Sequence, residues 1–206
     1  MGRKAAFFGG TFDPVHIGHL ITARAVAEEL GFEHITLVPA ASPPHKDGAV
    51  ASGKHRLAML RLAASDDPLF GISQVELHRD GPSYTFDTLE ALRDQYGPDA
   101  QLTWIIGADM LEGLSSWHRA DELLSLARLA IACRPPWQQR IPQLLEGLAD
   151  DLPGSSIESL AASVVQTPLL EVSSCRIRRR IAEGLTVRHL TPDSVVAYIE
   201  THRLYR

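Results

Sequence analysis

Apolar residues along this chain fall into two alternating patterns. Short continuous apolar runs at residues 4–8, 34–38, 70–77, 102–106, 129–132 and 164–166 have the length and composition of buried strands. Between them, apolar positions return every three or four residues, as in helices facing a core, over 15–30, over 54–64 and in a helix opening at 83–88 whose stripe includes Leu89 and Leu92. A partly charged helical pattern spans 138–152, with Pro142 breaking or delaying it. Gly31 and Gly97 follow two of the helices as stops, and Pro39 closes the second strand. A helix opens at the hydroxyls of Ser173 and Ser174, and Thr191-Pro192 starts a closing helix that runs to about residue 201 by N-cap and first-turn preferences. Strand and helix alternate throughout, which predicts an α/β, Rossmann-like, doubly wound and mainly parallel sheet with helices on both faces. With no linker, repeat or low-complexity tract, residues 1–206 are expected to form a single domain, closed by a helical segment from about 174 to 206.

The chemistry concentrates where the first strand meets the first helix. Gly9, Gly10, Thr11 and Phe12 leave the strand, Pro14 turns the chain, and His16, Gly18 and His19 open the helix. Glycines without a β-carbon let backbone N–H groups approach an anion, and a helix N-terminus favours phosphate through its unpaired N–H groups and partial positive charge. Three residues apart, His16 and His19 lie on one face of that first turn. Gly18 leaves room for something bulky against it. A Gly-rich turn with two surface histidines is the plainer account of these residues.

Further candidates follow at the ends of later strands, where ligands gather in open α/β sheets. The Pro-stiffened loop after the second strand carries His45 and Lys46. Beside it, 48–55 nearly matches a P-loop, but His55 replaces the required hydroxyl and no strand directly precedes it. Ser83 or Thr85 is either the cap of the helix it opens or a group that receives a polar ring substituent. Asp109 is suited to a ribose hydroxyl or to a cap, and Trp117 to the core or to stacking on a flat ring, with His118 beside it. Near the end, Ser174 and Arg178 are four residues apart, which sets a hydroxyl, helix N–H groups and a guanidinium on one anion. Arg179 and Arg180 read as a solvated basic face.

Composition narrows the function more than the fold. The chain has 206 residues, 45% of them hydrophobic and 22% charged, with a formal charge of −5. That balance disfavours non-specific nucleic-acid binding, which needs extended basic surface, so any anion site is local. Cys133 and Cys175 have no metal or disulfide spacing, which fits a reducing, cytoplasmic setting. No apolar run is long enough for a membrane span or a signal core, and Ala6 spoils a myristoylation motif. Neither a nucleic acid nor a membrane is therefore an expected partner, and the oligomeric state is not encoded in these patterns.

The motifs GGTFDPVHIGH, SPPHK, SYTFDT, IGAD, SSWHR and VSSCRIR, in this order, resemble those of bacterial-type nicotinate-nucleotide adenylyltransferases of the HxGH nucleotidyltransferase superfamily. The resemblance covers residues 8 to about 181. It implies transfer of AMP from ATP to nicotinate mononucleotide, giving deamido-NAD and pyrophosphate in NAD biosynthesis. It assigns His16, His19, Lys46 and Arg178 to catalysis and Gly9, Gly10, Thr11, Phe12, Gly18, His45, Ser173 and Ser174 to the ATP phosphates. Thr85, Asp109, Trp117, His118 and Arg134 fall to the nicotinate nucleotide. Mg2+ is implied as a companion of ATP, with no protein ligands of its own. Two positions depart from the family pattern: Cys175 stands for Thr and His118 for the more frequent Tyr. The alternatives are another HxGH transferase, acting on nicotinamide mononucleotide or phosphopantetheine, and a non-catalytic nucleotide-sensing module. A nicotinamide-dependent oxidoreductase is disfavoured because no GxGxxG follows the first strand.

Overall fold

The structure is a computed structural model that describes residues 3–42 and 49–206. Its six strands are β1 (Lys4–Gly10), β2 (Ile35–Pro39), β3 (Phe70–Ile72), β4 (Gln101–Gly107), β5 (Arg128–Cys133) and β6 (Val164–Gln166). They form one sheet in the order β3-β2-β1-β4-β5-β6, with every neighbouring pair parallel. The helices are α1 (Ile17–Leu30), α2 (Gly53–Ala64), α3 (Thr85–Tyr96), α4 (Ala120–Leu126), α5 (Ile141–Leu148), α6 (Gly154–Ala161), α7 (Ser174–Ala182) and α8 (Asp193–Thr201). The expected doubly wound, parallel α/β sheet is the observed one.

Strand alternation explains the two cores. On β1, β4 and β5 the side chains of Phe7, Trp104, Ile106, Leu129, Ile131 and Cys133 point to one face, where they meet Leu89 and Leu92 of α3, Leu123 of α4 and Leu145 of α5. Ala6, Ile105, Ala130 and Ala132 point to the other face, against Val26 and Ala27 of α1, Met59 and Leu60 of α2, and Val195 and Ile199 of α8. Because both faces are covered, the strands are apolar almost continuously rather than alternately. A third cluster of Val172, Ile177, Val187 and Val196 fastens α7 and α8 to the rest.

Several local expectations change. The first helix begins at Ile17, with His16 in extended conformation as its N-cap, and Leu190 O accepts the Ile17 N–H at 3.0 Å. The third strand stops at Ile72 instead of continuing to 77, because the Ser73 N–H still reaches Leu37 O while the Ser73 hydroxyl accepts the Val75 N–H and turns the chain. Residues 138–152 are a short 3₁₀ segment, Trp137–Gln139, and then α5, where Pro142 sits in the first turn and its missing N–H interrupts no helical bond. Thr191 does not cap the closing helix; its hydroxyl donates to Val15 O at 2.7 Å, and Pro192 takes the cap position. The 3₁₀ stretch Ala108–Ser116 and helices α4 and α6 have no counterpart among the predicted elements.

Candidate active site

The strand order reverses between β1 and β4, and at their carboxyl ends opens a cavity of about 1280 Å³. Every predicted site residue from Gly9 to Arg178 lines it except His45 and Lys46, which lie outside the described residues. Of the near P-loop, Val50 lines the cavity, Ser52 caps α2, and His55 Nδ1 lies 3.0 Å from the Tyr198 hydroxyl on α8.

The two histidines form the centre of the phosphate end. Their rings stack with centroids 3.6 Å apart and 18° between planes, as expected for two residues on one face of a first turn. The His16 backbone N–H donates to His19 Nδ1 at 3.2 Å. In neutral His19 the proton is therefore on Nε2. His16 is 7% exposed, and burial, helped by the nearby charge of Arg134, pushes its pKa down to about 4. His16 is thus a neutral ring near pH 7, and its Nδ1 is buried without a hydrogen-bond partner among the described residues. Val172 fills the space that Gly18 leaves open; a β-carbon there would stand 2.7 Å from Val172 Cγ1.

Gly9 and Gly10 line the cavity and also meet a packing need. Both belong to β1, paired with Val38 and Pro39, and their missing β-carbons make room for aromatic rings. A β-carbon on Gly9 would lie 2.2 Å from Trp104, and one on Gly10 would lie 3.1 Å from Phe12. Phe12 itself is buried, has a left-handed backbone (φ 49°), and sets its ring edge-on to His19 at 5.0 Å. It acts as a wedge that shapes the loop and braces His19.

The serines of α7 are also partly committed. Ser173 is the N-cap, its hydroxyl accepting the Arg176 N–H at 3.2 Å, while the Ser174 hydroxyl donates to Pro14 O at 2.9 Å. Arg178 donates to Asp13 O at 2.7 Å. A guanidinium has five N–H donors, so Arg178 is tethered to the phosphate loop with donors to spare. The opening turns of α1 at Gly18 and of α7 at Ser174 and Cys175, together with the Arg178 side chain, then line one volume, an arrangement suited to polyphosphate.

This end rests on a buried network that motif reading missed. Asp13, 3% exposed, accepts the Val50 N–H at 2.7 Å and the Ala51 N–H at 3.2 Å, and takes a 2.6 Å hydrogen bond from the Tyr205 hydroxyl. Burial and then this bond drive the Tyr205 pKa upward. Beside it, the buried Arg56 guanidinium donates to Thr11 O at 2.8 Å and to Ala51 O at 3.2 Å. Burial lowers the Arg56 pKa, with Asp13 the largest opposing influence. Nothing in the local pattern marks Arg56 for burial, because Thr11, a partner that holds it, lies 45 positions away in the chain.

At the other end of the cavity stand α3 and the Trp117 segment. Tyr84, not Ser83 or Thr85, is the N-cap of α3 and makes no side-chain capping bond, so the first N–H groups of the helix and the Thr85 hydroxyl face the cavity wall. Ser83 instead accepts N–H groups from Ala41 and Ser42, each at 3.0 Å. Trp117 is half-buried: its ring packs against the core and also lines the cavity, so both alternatives hold in part. His118 stacks on Tyr84 with centroids 4.5 Å apart and lies 3.8 Å from Asp87. Asp109 stands in the first turn of the 3₁₀ segment after β4, folded back over Gly107, where a β-carbon would meet its Oδ1 at 2.3 Å. Arg134 lines the cavity near enough to His16 for its charge to oppose protonation of that ring, and its guanidinium donates to Leu170 O at 3.0 Å.

The cytidylyltransferase-like family model matches residues 7–180. A Pseudomonas putida strain W619 protein named probable nicotinate-nucleotide adenylyltransferase is 43% identical, covering 99% of this chain and 95% of the relative. A Pseudomonas fluorescens Pf-5 protein of the same name is 43% identical over 100% of this chain and 99% of the relative. The chain belongs to the nicotinate-nucleotide adenylyltransferase family. Its fold agrees with that of the solved Plasmodium falciparum nicotinic acid mononucleotide adenylyltransferase complexed with NaAD, with a TM-score of 0.76 at 16% identity over 98% of this chain and 97% of that one. Membership in the adenylyltransferase family agrees with the resemblance carried by the motifs. Among the described residues no helix is long and apolar enough to cross a membrane.

Proposed function

We propose that the chain transfers AMP from ATP to nicotinate mononucleotide, releasing pyrophosphate and forming deamido-NAD, as a cytoplasmic step of NAD biosynthesis. The observation that carries this reading is one continuous cavity with a polyphosphate-type end, built from α1 and α7, and a flat-ring end, built from α3 and Trp117. The sheet and the closing helices act as one catalytic unit, a reading supported by the bond from Tyr205 to Asp13.

The acceptor's 5′-phosphate is already anionic, so its oxygen attacks the α-phosphorus of ATP without a strong base. The bond from that phosphorus to the bridging oxygen breaks, and pyrophosphate leaves with the electron pair. Catalysis is alignment together with stabilisation of charge on the leaving oxygens. His19 supplies its Nε2–H to a phosphate oxygen, with neutral His16 as the stacked second donor. Arg178, the N–H groups of α7 and Ser173 hold the β- and γ-phosphates, with Ser174 fastening α7 to Pro14. Arg134 adds positive charge near His16, and His45 and Lys46 are assigned to the phosphates on the resemblance of the SPPHK motif alone.

Mg2+ enters with ATP, held by phosphate oxygens and water. This fits the donors on hand: both oxygens of Asp13 are taken by Val50, Ala51 and Tyr205. At the far end the ring carboxylate meets the N–H groups of α3 and Thr85, the ring lies against Trp117 near His118, and Asp109 takes a ribose hydroxyl.

The test is pyrophosphate release from ATP with nicotinate mononucleotide, nicotinamide mononucleotide or phosphopantetheine as acceptor. Turnover with the acid is expected to exceed that with either alternative. Equal or faster use of the amide overturns acid specificity, and no release with any acceptor favours a sensing module.

A further inference from the structure

The proposed chemistry leaves one buried ionisable group on the cavity wall without a role. Glu76, 4% exposed, lies beyond β3 and accepts the Thr88 hydroxyl at 2.8 Å on Oε1, while Oε2 has no hydrogen-bond partner among the described residues. Burial raises its pKa against the opposing influence of the Ser83 and Thr88 hydroxyls. A carboxyl kept inside with one oxygen unsatisfied calls for a reason, since apolar side chains fill space at less cost.

Its connections supply one. Thr88 is fully buried in the opening of α3 and also receives Arg79 Nη2 at 3.3 Å, whose guanidinium reaches Tyr84 O at 3.5 Å. A carboxyl and a guanidinium therefore grip the start of α3 from behind through a single hydroxyl. Immediately upstream, Ser83 bonds the Ala41 and Ser42 N–H groups through its side chain, and its own N–H donates to Ser42 O at 2.9 Å. The start of α3 is thus fixed both to the segment after β3 and to the exit of β2. Its uncapped N–H groups are the donors left over for a ligand.

We propose that Glu76 is a positioning residue for the acceptor: through Thr88 it fixes where the N-terminal donors of α3 stand, and so sets affinity for the acceptor's ring carboxylate without touching the ATP end. Geometry of this kind matters because a donor displaced by about 1 Å loses most of its effect on a bound group. The inference rests on the adenylyl transfer proposed above.

Steady-state kinetics on the full chain, with ATP and nicotinate mononucleotide varied in turn, test it. Glu76→Ala is expected to raise the acceptor KM at least about tenfold, a loss of binding shared by ground and transition states, with the ATP KM within about twofold of wild type. Glu76→Gln, which keeps size and an acceptor oxygen, is expected to restore most of that loss. Should Glu76→Ala fail to fold, Thr88→Val cuts the same link from the other side and is expected to show the same one-sided rise. An unchanged acceptor KM, or equal rises for both substrates, in an enzyme whose wild type uses nicotinate mononucleotide overturns this inference alone. No wild-type turnover with that acceptor overturns the proposed reaction as well.

Discussion

His16 donates its backbone N–H to Nδ1 of His19 at 3.2 Å, so the first histidine of the pair fixes the tautomer of the second. A neutral side chain that accepts on Nδ1 carries its proton on Nε2, the tautomer that can donate to a phosphate oxygen. For this reason His19→Ala is expected to lower kcat at least ~10²-fold, the scale of losing one preorganised donor to a developing charge. Folding should remain intact by circular dichroism and thermal melting. Turnover near that of wild type would contradict the role.

Burial of neutral His16 makes stability depend on pH. Its folded pKa of about 4 lies below the ordinary 6.5, so between those values the unfolded chain binds a proton that the folded chain does not. The contribution is whole above pH 6.5, declines as pH falls from 6.5 to 4, and is gone below that, an effect of up to about 3 kcal/mol. Urea unfolding at pH 7 and pH 5 should show wild type losing more stability than His16→Asn. Identical losses would mean that the ring is not buried neutral.

Tyr205 and Asp13 share a hydrogen bond of 2.6 Å although 192 positions separate them. Tyr205→Phe keeps the ring and removes this bond, leaving Asp13 with its two backbone donors. A cost of about 2 kcal/mol is expected, as for a hydrogen bond to a charged group. Because Asp13 also tethers Arg178, the ATP KM should rise with it, and a melting temperature equal to that of wild type would refute the network's importance.

Cys175, where the family pattern has Thr, is exposed in the first turn of α7 and lines the cavity. Cys175→Thr is expected to leave the ATP KM unchanged or lower it, by adding a hydroxyl beside the phosphates. A collapse of activity would reveal a packing role for the thiol.

Much of this was legible in the chain because the signals were local. Apolar runs gave the six strands within a few residues, and His16 with His19 on α1, like Ser174 with Arg178 on α7, share a helix face because spacing along a helix is a geometric fact. What the patterns hid came from contacts between distant segments. The glycines at 9 and 10 looked like a phosphate cradle, yet Trp104, from a neighbouring strand, explains the first of them. Ser83 looked like a cap, but its hydroxyl is spent on Ala41 and Ser42. Arg56 and Tyr205 carry no motif at all, since their partners on the loop after β1 are far away in sequence. The third strand was overextended for a related reason: apolar residues 75 and 77 continue the pattern, but the turn at Ser73 sends them off the sheet edge.

The tie between Tyr205 and the loop after β1 also orders the assembly of this enzyme in time. A ribosome delivers the histidine helix within the first tenth or so of synthesis, but the hydroxyl that pins Asp13 comes almost two hundred residues later. Until then the loop lacks its clamp, and Arg178 lacks a settled anchor. A nascent chain therefore carries the visible motif of the reaction well before it has the hydroxyl that steadies the loop beside it.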